Sequence, residues 1–160
     1  MGKFVFSNAC LYLEKSSTAS TLSASTTGVD YLSSYLKSLT LNFSKSEVDK
    51  TCMLDEGIGR LSGLYDWSMD LEFAQDCAND LLDEILFNSI NTNKTSLGIR
   101  FRPTTAAVGA TNPQYTGKGM IFEYTPLTGS VGDLSTASVS IRAVAASSAA
   151  STAWLKRATA

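Results

Sequence analysis

Apolar and polar side chains alternate along two stretches of the chain, residues 38–44 and 66–73. In each stretch every second residue is large and apolar, and the residues between carry hydroxyl, amide or carboxylate groups. Successive side chains of a β-strand point to opposite faces, so this pattern predicts two strands that each bury one face. The side chains expected to face the core are Leu39, Leu41, Phe43, Trp67, Met69, Leu71 and Phe73.

A helical pattern follows the second strand. Asp76 is a residue type that favours the N-cap position, and apolar residues then recur at helical spacing to about residue 90. Asp83 and Glu84 fall early in this segment, where the helix dipole favours negative charge. We therefore expect one amphipathic helix that packs on the two strands through Leu81, Leu82, Ile85 and Leu86.

Strand patterns return at residues 97–102, 118–125 and 137–143, and the apolar stretch at residues 3–13 is also typical of strands. One helix cannot cover both faces of a sheet structure, and the strands alternate strongly. We therefore predict a mainly β fold, a β-sandwich with one flanking α-helix. A chain of 160 residues suits a single domain, here residues 1–160.

Three segments contain few residues that a core would bury. Residues 16–28 are mostly Ser and Thr, and they form either a plain flexible loop or an arm that orders against a neighbouring molecule. Residues 45–65 link the two alternating strands, and a loop of this length is often functional. Residues 145–160 are rich in Ala and Ser, with Trp154 and Leu155 as their large apolar groups.

The charge balance argues against a protein that binds nucleic acid tightly. Thirteen Lys and Arg against fifteen Asp and Glu give a formal charge of −2, whereas tight DNA binding needs clustered basic residues that displace counterions. A mildly acidic chain suits a conduit for DNA. Charged residues make up 18% of the chain, below the roughly 25% of typical soluble domains. This low share fits either a surface hidden in an assembly or one solvated by hydroxyl groups.

The sequence lacks the residue sets of the common catalytic and metal sites. It contains no histidine, which excludes Ser-His-Asp and Cys-His catalysis. Cys10, Cys52 and Cys77 do not have the spacing of a zinc site and suggest reduced thiols. Gly57-x-Gly59 does not continue as a dinucleotide fingerprint. We therefore predict a protein that is not an enzyme and needs no cofactor or metal, and no apolar run predicts a membrane partner.

Asp66, Asp70 and Glu72 form a row on the polar side of the second strand. Such carboxylates perform acid–base chemistry, bind a hard cation such as calcium, or simply solvate one face of a sheet. A further interpretation is the wall of a polar channel, whose negative charge keeps DNA phosphates from adhering. Arg100 and Arg102, on another predicted strand, are candidates to lie beside this row and partly neutralise it.

Three motifs occur in the order and spacing of a known family. They are Leu61-Ser62-Gly63-Leu64-Tyr65-Asp66-Trp67-Ser68, Asn112-Pro113-Gln114-Tyr115-x-Gly117 and Gly129-x-Val131-Gly132-Asp133. Over residues 38–142 the chain thereby resembles the major tail proteins, or tail tube proteins, of long-tailed bacteriophages of the siphophage type. The same fold occurs in the tubes of contractile tails and of type VI secretion, and these stay open as alternatives.

The resemblance implies a tube-forming β-barrel subunit. Subunits would join in stacked homohexameric rings whose inner sheets fuse around a lumen that conducts DNA during ejection. The implied partners are further copies of the chain, a tape measure protein in the lumen before ejection, and the tail tip and terminator proteins. Double-stranded DNA would pass without specific binding. The protein would be assembled in the host cytoplasm and reside in the tail of the virion.

The resemblance also assigns roles to individual residues. The polar sides of the two strands are expected to face the lumen through Thr40, Asn42, Asp66, Ser68, Asp70 and Glu72. Residues 45–65 are expected to be a loop that reaches the adjacent ring through Glu47, Asp49, Lys50, Asp55, Glu56 and Arg60. Residues 16–28 and 145–160 would be arms that add contacts between rings.

Two other classes of protein remain to be weighed on the residues alone. A monomeric β-sandwich binding module, such as an adhesin or a carbohydrate-binding domain, needs a row of exposed aromatic side chains. The aromatic residues here fall mostly on predicted core faces. A carboxylate-only enzyme such as a glycosidase needs a second acidic cluster in a loop, and the sequence offers none.

Overall fold

The computed structural model describes residues 9–15, 29–53, 56–77, 82–91, 97–144 and 155–159. The predicted arm at residues 16–28, most of the predicted arm at 145–160, and the individual residues Asp55 and Leu81 lie outside these ranges. Within them the chain forms eight strands and one helix. The bounds are β1 Cys10–Lys15, β2 Val29–Tyr31, β3 Leu36–Asp49, β4 Arg60–Ala74, α1 Leu82–Asn91, β5 Leu97–Arg102, β6 Gln114–Thr128, β7 Thr136–Ala143 and β8 Lys156–Ala158.

All strand pairs are antiparallel, in the order β2–β1–β5–β6–β7–β4–β3, and β8 pairs with β6 beside this path. β6 belongs to two halves of the sheet, because its residues 115–119 pair with β5 and its residues 119–128 pair with β7. Apolar side chains from both halves, such as Leu11 and Leu71, lie in one buried core. The prediction of a mainly β fold with one helix is therefore confirmed.

The side chain of Trp67, on β4, packs against β6 at the point where the two halves of the sheet meet. Its indole lies over β6, where a Cβ at Gly119 would come within 2.9 Å of Trp67 Cη2 and a Cβ at Gly117 within 3.2 Å of Trp67 Cζ2. Glycine at both positions allows the ring to lie against the β6 backbone. The side chain is 3% exposed as a result.

The core-facing prediction is confirmed for β4 and in part for β3. The side chains of Trp67, Met69, Leu71 and Phe73 are buried, and Leu39 and Leu41 are half-buried against the same core. Phe43 is 54% exposed, so its core assignment is wrong. β7 pairs with β4 only between Ser68 and Ala74, and Phe43 lies opposite Trp67, where the hairpin begins to leave the body.

The predicted helix side chains pack inward, since Leu82 and Leu86 are buried and Ile85 is half-buried. The strand that the helix contacts is mainly β6 rather than β3 and β4, so the predicted partner strands are wrong. The first turn of the helix is tied to the sheet by a polar contact. Asp83 Oδ1 accepts a hydrogen bond from the Tyr124 hydroxyl at 2.5 Å and one from Gln75 Nε2 at 3.1 Å. The carboxylate therefore connects the helix both to β6 and to the end of β4.

Residues 45–65 are not a loop, and this prediction is wrong. β3 continues to Asp49 and β4 begins at Arg60, so the two strands form a long hairpin connected by residues 50–59. The register of the two strands shifts after Lys45, because residues 63 and 64 of β4 bulge out of the ladder. This bulge interrupts the alternation of apolar and polar residues from which a strand is recognised in the sequence. We call the part of this hairpin that extends past β7, residues 43–66, the arm. It is distinct from the two predicted arms at residues 16–28 and 145–160.

Gly63 is required at the bulge of the arm. The Ser46 hydroxyl accepts the Leu64 N–H at 2.9 Å and fills the space beside Gly63. A Cβ at Gly63 would overlap this hydroxyl and would lie 3.0 Å from the Ser46 carbonyl oxygen. The bulge thus depends on a residue without a side chain, and it separates the base of the arm from its tip.

Candidate assembly surfaces

One face of the β3–β4–β7 sheet is lined by polar side chains. Strand register places Thr40 opposite Asp70, which lies opposite Ser140 in turn, and the next row contains Asn42, Ser68 and Arg142. These residues alternate with the buried ones, so they share the face that points away from the core. All six residues predicted to face a lumen lie on this polar face, and none of them is buried: Thr40, Asn42, Asp66, Ser68, Asp70 and Glu72.

Hydrogen bonds connect the strands across the polar face. The Ser140 hydroxyl donates to Asp70 Oδ1 at 2.8 Å. Glu72 accepts from the Ser38 hydroxyl at 3.4 Å and forms an ion pair with Lys37 Nζ at 3.5 Å. These contacts order the carboxylates without removing them from solvent, since Glu72 keeps about two fifths of its side chain exposed.

The basic residues beside the acidic row are not those expected. Arg100 and Arg102 lie on β5, and β6 and β7 separate that strand from β4, so the expectation that they flank the row is wrong. Arg142 on β7 lies opposite Ser68 instead. The sequence pattern identifies a strand's faces, but it does not identify the strand's neighbours.

The polar face retains an excess of carboxylates. β6 extends it, because Glu123 lies opposite Ser140 on β7. The acidic groups are then Asp66, Asp70, Glu72 and Glu123. The basic groups are Lys37, Arg142 and, on the same side of β6 as Met120, Lys118, so four carboxylates against three cations leave a net charge of −1 on this face.

The polar face belongs to a unit of four strands, in the order β6–β7–β4–β3. Both edges of this four-stranded unit are free among the described residues. β3 pairs with β4 and with no other strand. On the opposite side, residues 120–128 of β6 pair only with β7, because the part of β6 that pairs with β5 ends at Gly119, opposite Leu97. Each free edge presents backbone N–H and C=O groups that can pair with another chain.

The arm projects from this unit and carries the residues predicted to reach an adjacent ring. Arg60 Nε and Glu47 Oε1 form an ion pair at 2.9 Å across the two strands. The described members of the predicted set are all exposed on the arm: Glu47, Asp49, Lys50, Glu56 and Arg60.

The described residues of the tip of the arm, 50–53 and 56–59, include a network of hydrogen bonds around Thr51. Asp49 Oδ1 accepts from both the backbone N–H and the hydroxyl of Thr51, at 2.8 and 2.5 Å. The Thr51 hydroxyl accepts from the Gly59 N–H at 3.0 Å, and the Gly59 carbonyl accepts from the Lys50 N–H at 2.9 Å. The hydrogen bonds from Thr51 lower the pKa of Asp49, since they stabilise its ionised form.

Apolar side chains on the arm were missed by the sequence interpretation. The Phe43 and Tyr65 rings stack at a centroid distance of 5.7 Å, and Lys45 Nζ lies 4.1 Å from the centre of the Tyr65 ring. The sequence did contain an indication of them, because large apolar residues occur within the segment that was interpreted as a polar loop. Those exposed on the arm are Phe43, Val48, Met53, Ile58, Leu61, Leu64 and Tyr65.

The described ranges contain no group of three or more His, Cys, Asp or Glu side chains that could hold a metal ion. In the same part of the chain, no helix has the length and apolar character needed to cross a membrane. Cys10 is buried, Cys52 and Cys77 are exposed, and none of the three forms a disulfide within the described residues. The distinctive surfaces are thus the polar face, the two free edges and the arm.

Neither a family model nor a curated protein sequence matches the chain. Solved structures do. A chain of the virion of a native gene transfer agent particle matches with a TM-score of 0.55 and 15% identity, over 74% of this chain and 85% of that one. A chain of the tail of an empty gene transfer agent particle, with C6 symmetry, matches with the same score and identity over 86% and 92%.

A third similar structure comes from the baseplate of the anti-feeding prophage, which was symmetrised six-fold. Its TM-score is 0.53 and its identity 8%, over 89% of this chain and 93% of that one. At such low identity the likeness concerns the fold. The chain therefore has the mainly β fold of subunits found in gene transfer agent tails and in a prophage-type baseplate.

Proposed function

We propose that the chain is a structural subunit of a viral tail tube, which forms stacked hexameric rings around a lumen that conducts DNA during ejection. The observation that carries the proposal is a sheet with one polar face and two free edges. Similar chains come from a C6-symmetric tail and a six-fold baseplate, and this supports the proposed symmetry.

Strand directions favour closure of such a ring. The unit β6–β7–β4–β3 contains four antiparallel strands, so β3 and β6 run in opposite directions. In a ring, each subunit is related to the next by rotation about the ring axis. If this axis runs roughly along the strands, the rotation leaves the direction of every strand unchanged. The free edge of β3 in one subunit would then meet the free edge of β6 in the next as an antiparallel pair, and a closed barrel leaves no edge unpaired.

In this ring the polar face lines the lumen. Its hydroxyl groups would hydrate the wall, and its net negative charge would repel DNA phosphates at distances up to about 10 Å at moderate salt. The tape measure protein would occupy the lumen before ejection, and the tail tip and terminator proteins would contact the ends of the tube. The arm would leave its own ring and reach the adjacent one.

Electron microscopy of the purified chain tests the proposal. We expect hollow tubes or rings with six-fold symmetry at high concentration or with a tail-tip initiator, and Asp70 and Glu72 on the inner wall. A chain that stays monomeric under both conditions, or an assembly with Asp70 on its exterior, would contradict it. The monomeric outcome would favour the β-sandwich binding module.

A second candidate is the tube protein of a contractile or type VI-like injection system. The likeness to a chain of the anti-feeding prophage baseplate favours it. The subunit contacts would be the same, so the two candidates differ in what surrounds the tube. Purification of assembled particles separates them, because a contractile system carries a sheath around the tube and a siphophage-type tail does not.

A further inference from the structure

The helix α1 packs on an edge strand of the four-stranded unit. Among the strands its contacts fall mainly on β6, and the Tyr124 hydroxyl that donates to Asp83 belongs to the part of β6 whose outer edge is free. Strands of a sheet lie about 4.8 Å apart, whereas a helix with its side chains is about 10 Å across. A helix over an edge strand therefore overhangs the position that a further strand would occupy.

The flank of α1 that faces away from the body of the subunit carries an exposed aromatic ring. Phe87 is 55% exposed, and it lies about 100° around the helix from its neighbour Leu86, which is buried. On the opposite flank Ile85 is half-buried against the core. Since residues 120–128 of β6 have a partner strand on only one side, the Phe87 flank lies above the free edge.

The apolar side of β3, at the other free edge, is incompletely covered. Leu39 and Leu41 are half-buried and Phe43 is 54% exposed, whereas the residues of β4 opposite them in the ladder are all buried. The difference arises because α1 packs on β6, at the far side of the four-stranded unit, and not on β3. β3 thus presents a row of apolar side chains that a second layer could still cover.

Exposed phenylalanine side chains occur at these same two edges. Among the described residues they are Phe43 on β3, Phe122 on β6 and Phe87 on the helix above β6. Phe73 and Phe101, by contrast, lie in the body of the fold and are buried. Burial of large apolar side chains is favourable in proportion to the area removed from water, so a contact that joined the two edges would gain from each ring.

The charges at the two edges are compatible with such a contact. From residue 36 to residue 45, β3 carries the basic residues Lys37 and Lys45. The charged residues of α1 are the acidic Asp83 and Glu84, both in its first turn. The carboxylates of the polar face lie on the other side of the sheet. Contact between α1 and the apolar side of a second β3 therefore brings no like charges together within the described residues.

We propose that α1 of one subunit covers the apolar side of β3 in the neighbouring subunit of the same ring, with Phe87 packed on the row that contains Leu41 and Phe43. This inference rests on the proposed function, in which the free edges of β3 and β6 meet. The apolar sides of both strands then point away from the lumen, so the overhanging flank of α1 lies over the neighbour's β3.

The dimensions of the two surfaces match. From Leu36 to Phe43 the apolar row of β3 is roughly 23 Å long, and the ten residues of α1 are about 15 Å long. The helix therefore fits along the row. It would complete the core of two subunits at once, so an apolar layer would hold the ring together in addition to the backbone hydrogen bonds between the strands.

An acidic substitution on α1 tests the contribution of Phe87. Phe87→Asp should leave the melting temperature of the monomer nearly unchanged, because the side chain is exposed there. It should raise the concentration needed for tube assembly about tenfold or more, as expected for the loss of a buried aromatic anchor. Phe87→Leu keeps an apolar side chain and should assemble close to the wild-type concentration. Asn88→Asp, which adds the same charge one residue further along the helix, is the control, and sedimentation and negative-stain microscopy measure the concentration.

Disulfide trapping tests which subunits are in contact. In a background with Cys52→Ser and Cys77→Ser, Phe87→Cys is combined with Leu41→Cys or with Phe43→Cys, and assembled tubes are treated with diamide. The contact is heterologous and the ring is closed, so at least one pair should give a ladder of covalent multimers that ends at the hexamer on a non-reducing gel. Variants with a single introduced cysteine are the controls and should give no ladder.

The outcomes separate this inference from the proposed function. If wild-type protein forms no tubes, the proposed function fails. If tubes form, but Phe87→Asp assembles at the wild-type concentration and neither cysteine pair gives a ladder, the helix contact is wrong while the tube remains. A ladder that continues past the hexamer would place the contact between rings and would also overturn the inference, as would a crosslink confined to the monomer.

Discussion

At the scale of single residues, close contacts between backbone and side chains decide which positions tolerate change. Gly119 lies where β6 passes from one half of the sheet to the other, beneath the Trp67 indole. A Cβ there would lie 2.7 Å from Ile141 Cγ2 and 2.9 Å from the Arg142 carbonyl oxygen. The absence of a side chain is thus a packing requirement at this position.

Gly119→Ala should lower the free energy of unfolding by about 1–3 kcal/mol, because the added methyl group overpacks the core. Urea denaturation followed by circular dichroism measures the change. Gly57→Ala is the matched control, since a Cβ at Gly57 meets nothing within 4 Å, and it should have little effect. Equal stability of the two variants would contradict this account of the β6 crossing.

The phenol of Tyr124 makes the stability of the fold depend on pH in the alkaline range. Burial, and next the hydrogen bond to Asp83, raise the pKa of Tyr124 from its ordinary 10.0 to about 12. The folded state therefore favours the neutral phenol more than the unfolded state does. The corresponding stabilisation is complete below pH 10 and is lost as the pH rises through about 12.

Tyr124→Phe should therefore lower stability at neutral pH but lose less stability than the wild type between pH 10 and pH 12. Thermal melting at a series of alkaline pH values measures this difference in slope. Tyr65→Phe on the arm serves as the control, because its ring is 43% exposed and lies outside the core. If the loss of stability with rising pH were the same in Tyr124→Phe as in the wild type, the contact of Tyr124 with Asp83 would not be its cause.

At the scale of elements, the arm is a long antiparallel hairpin with its own polar order. The Glu47–Arg60 ion pair spans its strands, and the hydrogen bonds around Thr51 close its tip. The contacts lie away from the core, so the order of the tip is largely independent of global stability.

Thr51→Val should loosen the tip while the melting temperature stays nearly constant. The substitution keeps the shape of the side chain but removes its hydrogen bonds with Asp49 and Gly59. Tryptic cleavage after Lys50 is expected to become several times faster. Ser62→Ala, on the other strand of the arm, is the control. Unchanged cleavage would show that these hydrogen bonds do not order the tip.

At the scale of the whole molecule, the fold divides the chain into a body and surfaces that suit assembly. The core binds the two halves of the sheet together, while the polar face, the free edges and the arm lie outside it. If the polar face lines a lumen, its charge should affect the passage of DNA more than it affects assembly, because its side chains would then face the lumen rather than a neighbouring subunit.

Reversal of three charges on the polar face tests this division of roles. Asp66→Lys, Asp70→Lys and Glu72→Lys together should leave tube assembly intact and slow DNA ejection, since a basic wall attracts phosphates. Ejection from assembled particles is followed by the fluorescence of a DNA-binding dye at several salt concentrations. Asp133→Lys, in the exposed turn between β6 and β7, is the control, and normal ejection at low salt by the triple variant would remove the lumen assignment.

The sequence alone determined which side of each strand is polar and which is buried, because the alternation of side chains is a local property of the backbone. The six polar-face residues and the buried side chains of β4 followed from it, and the helical spacing likewise identified Leu82 and Leu86 as buried. Phe43 followed the same pattern yet is exposed, because burial also requires a second layer over the strand.

The tertiary structure decided which strands are neighbours and where the body ends. Arg142 rather than Arg100 lies beside the acidic row, because strand order depends on pairing between residues distant in the chain. The bulge at Gly63 hid the arm for a related reason, since an interrupted alternation indicates a loop until the partner strand is known. The free edges of β3 and β6 also became visible only once every strand had its partner.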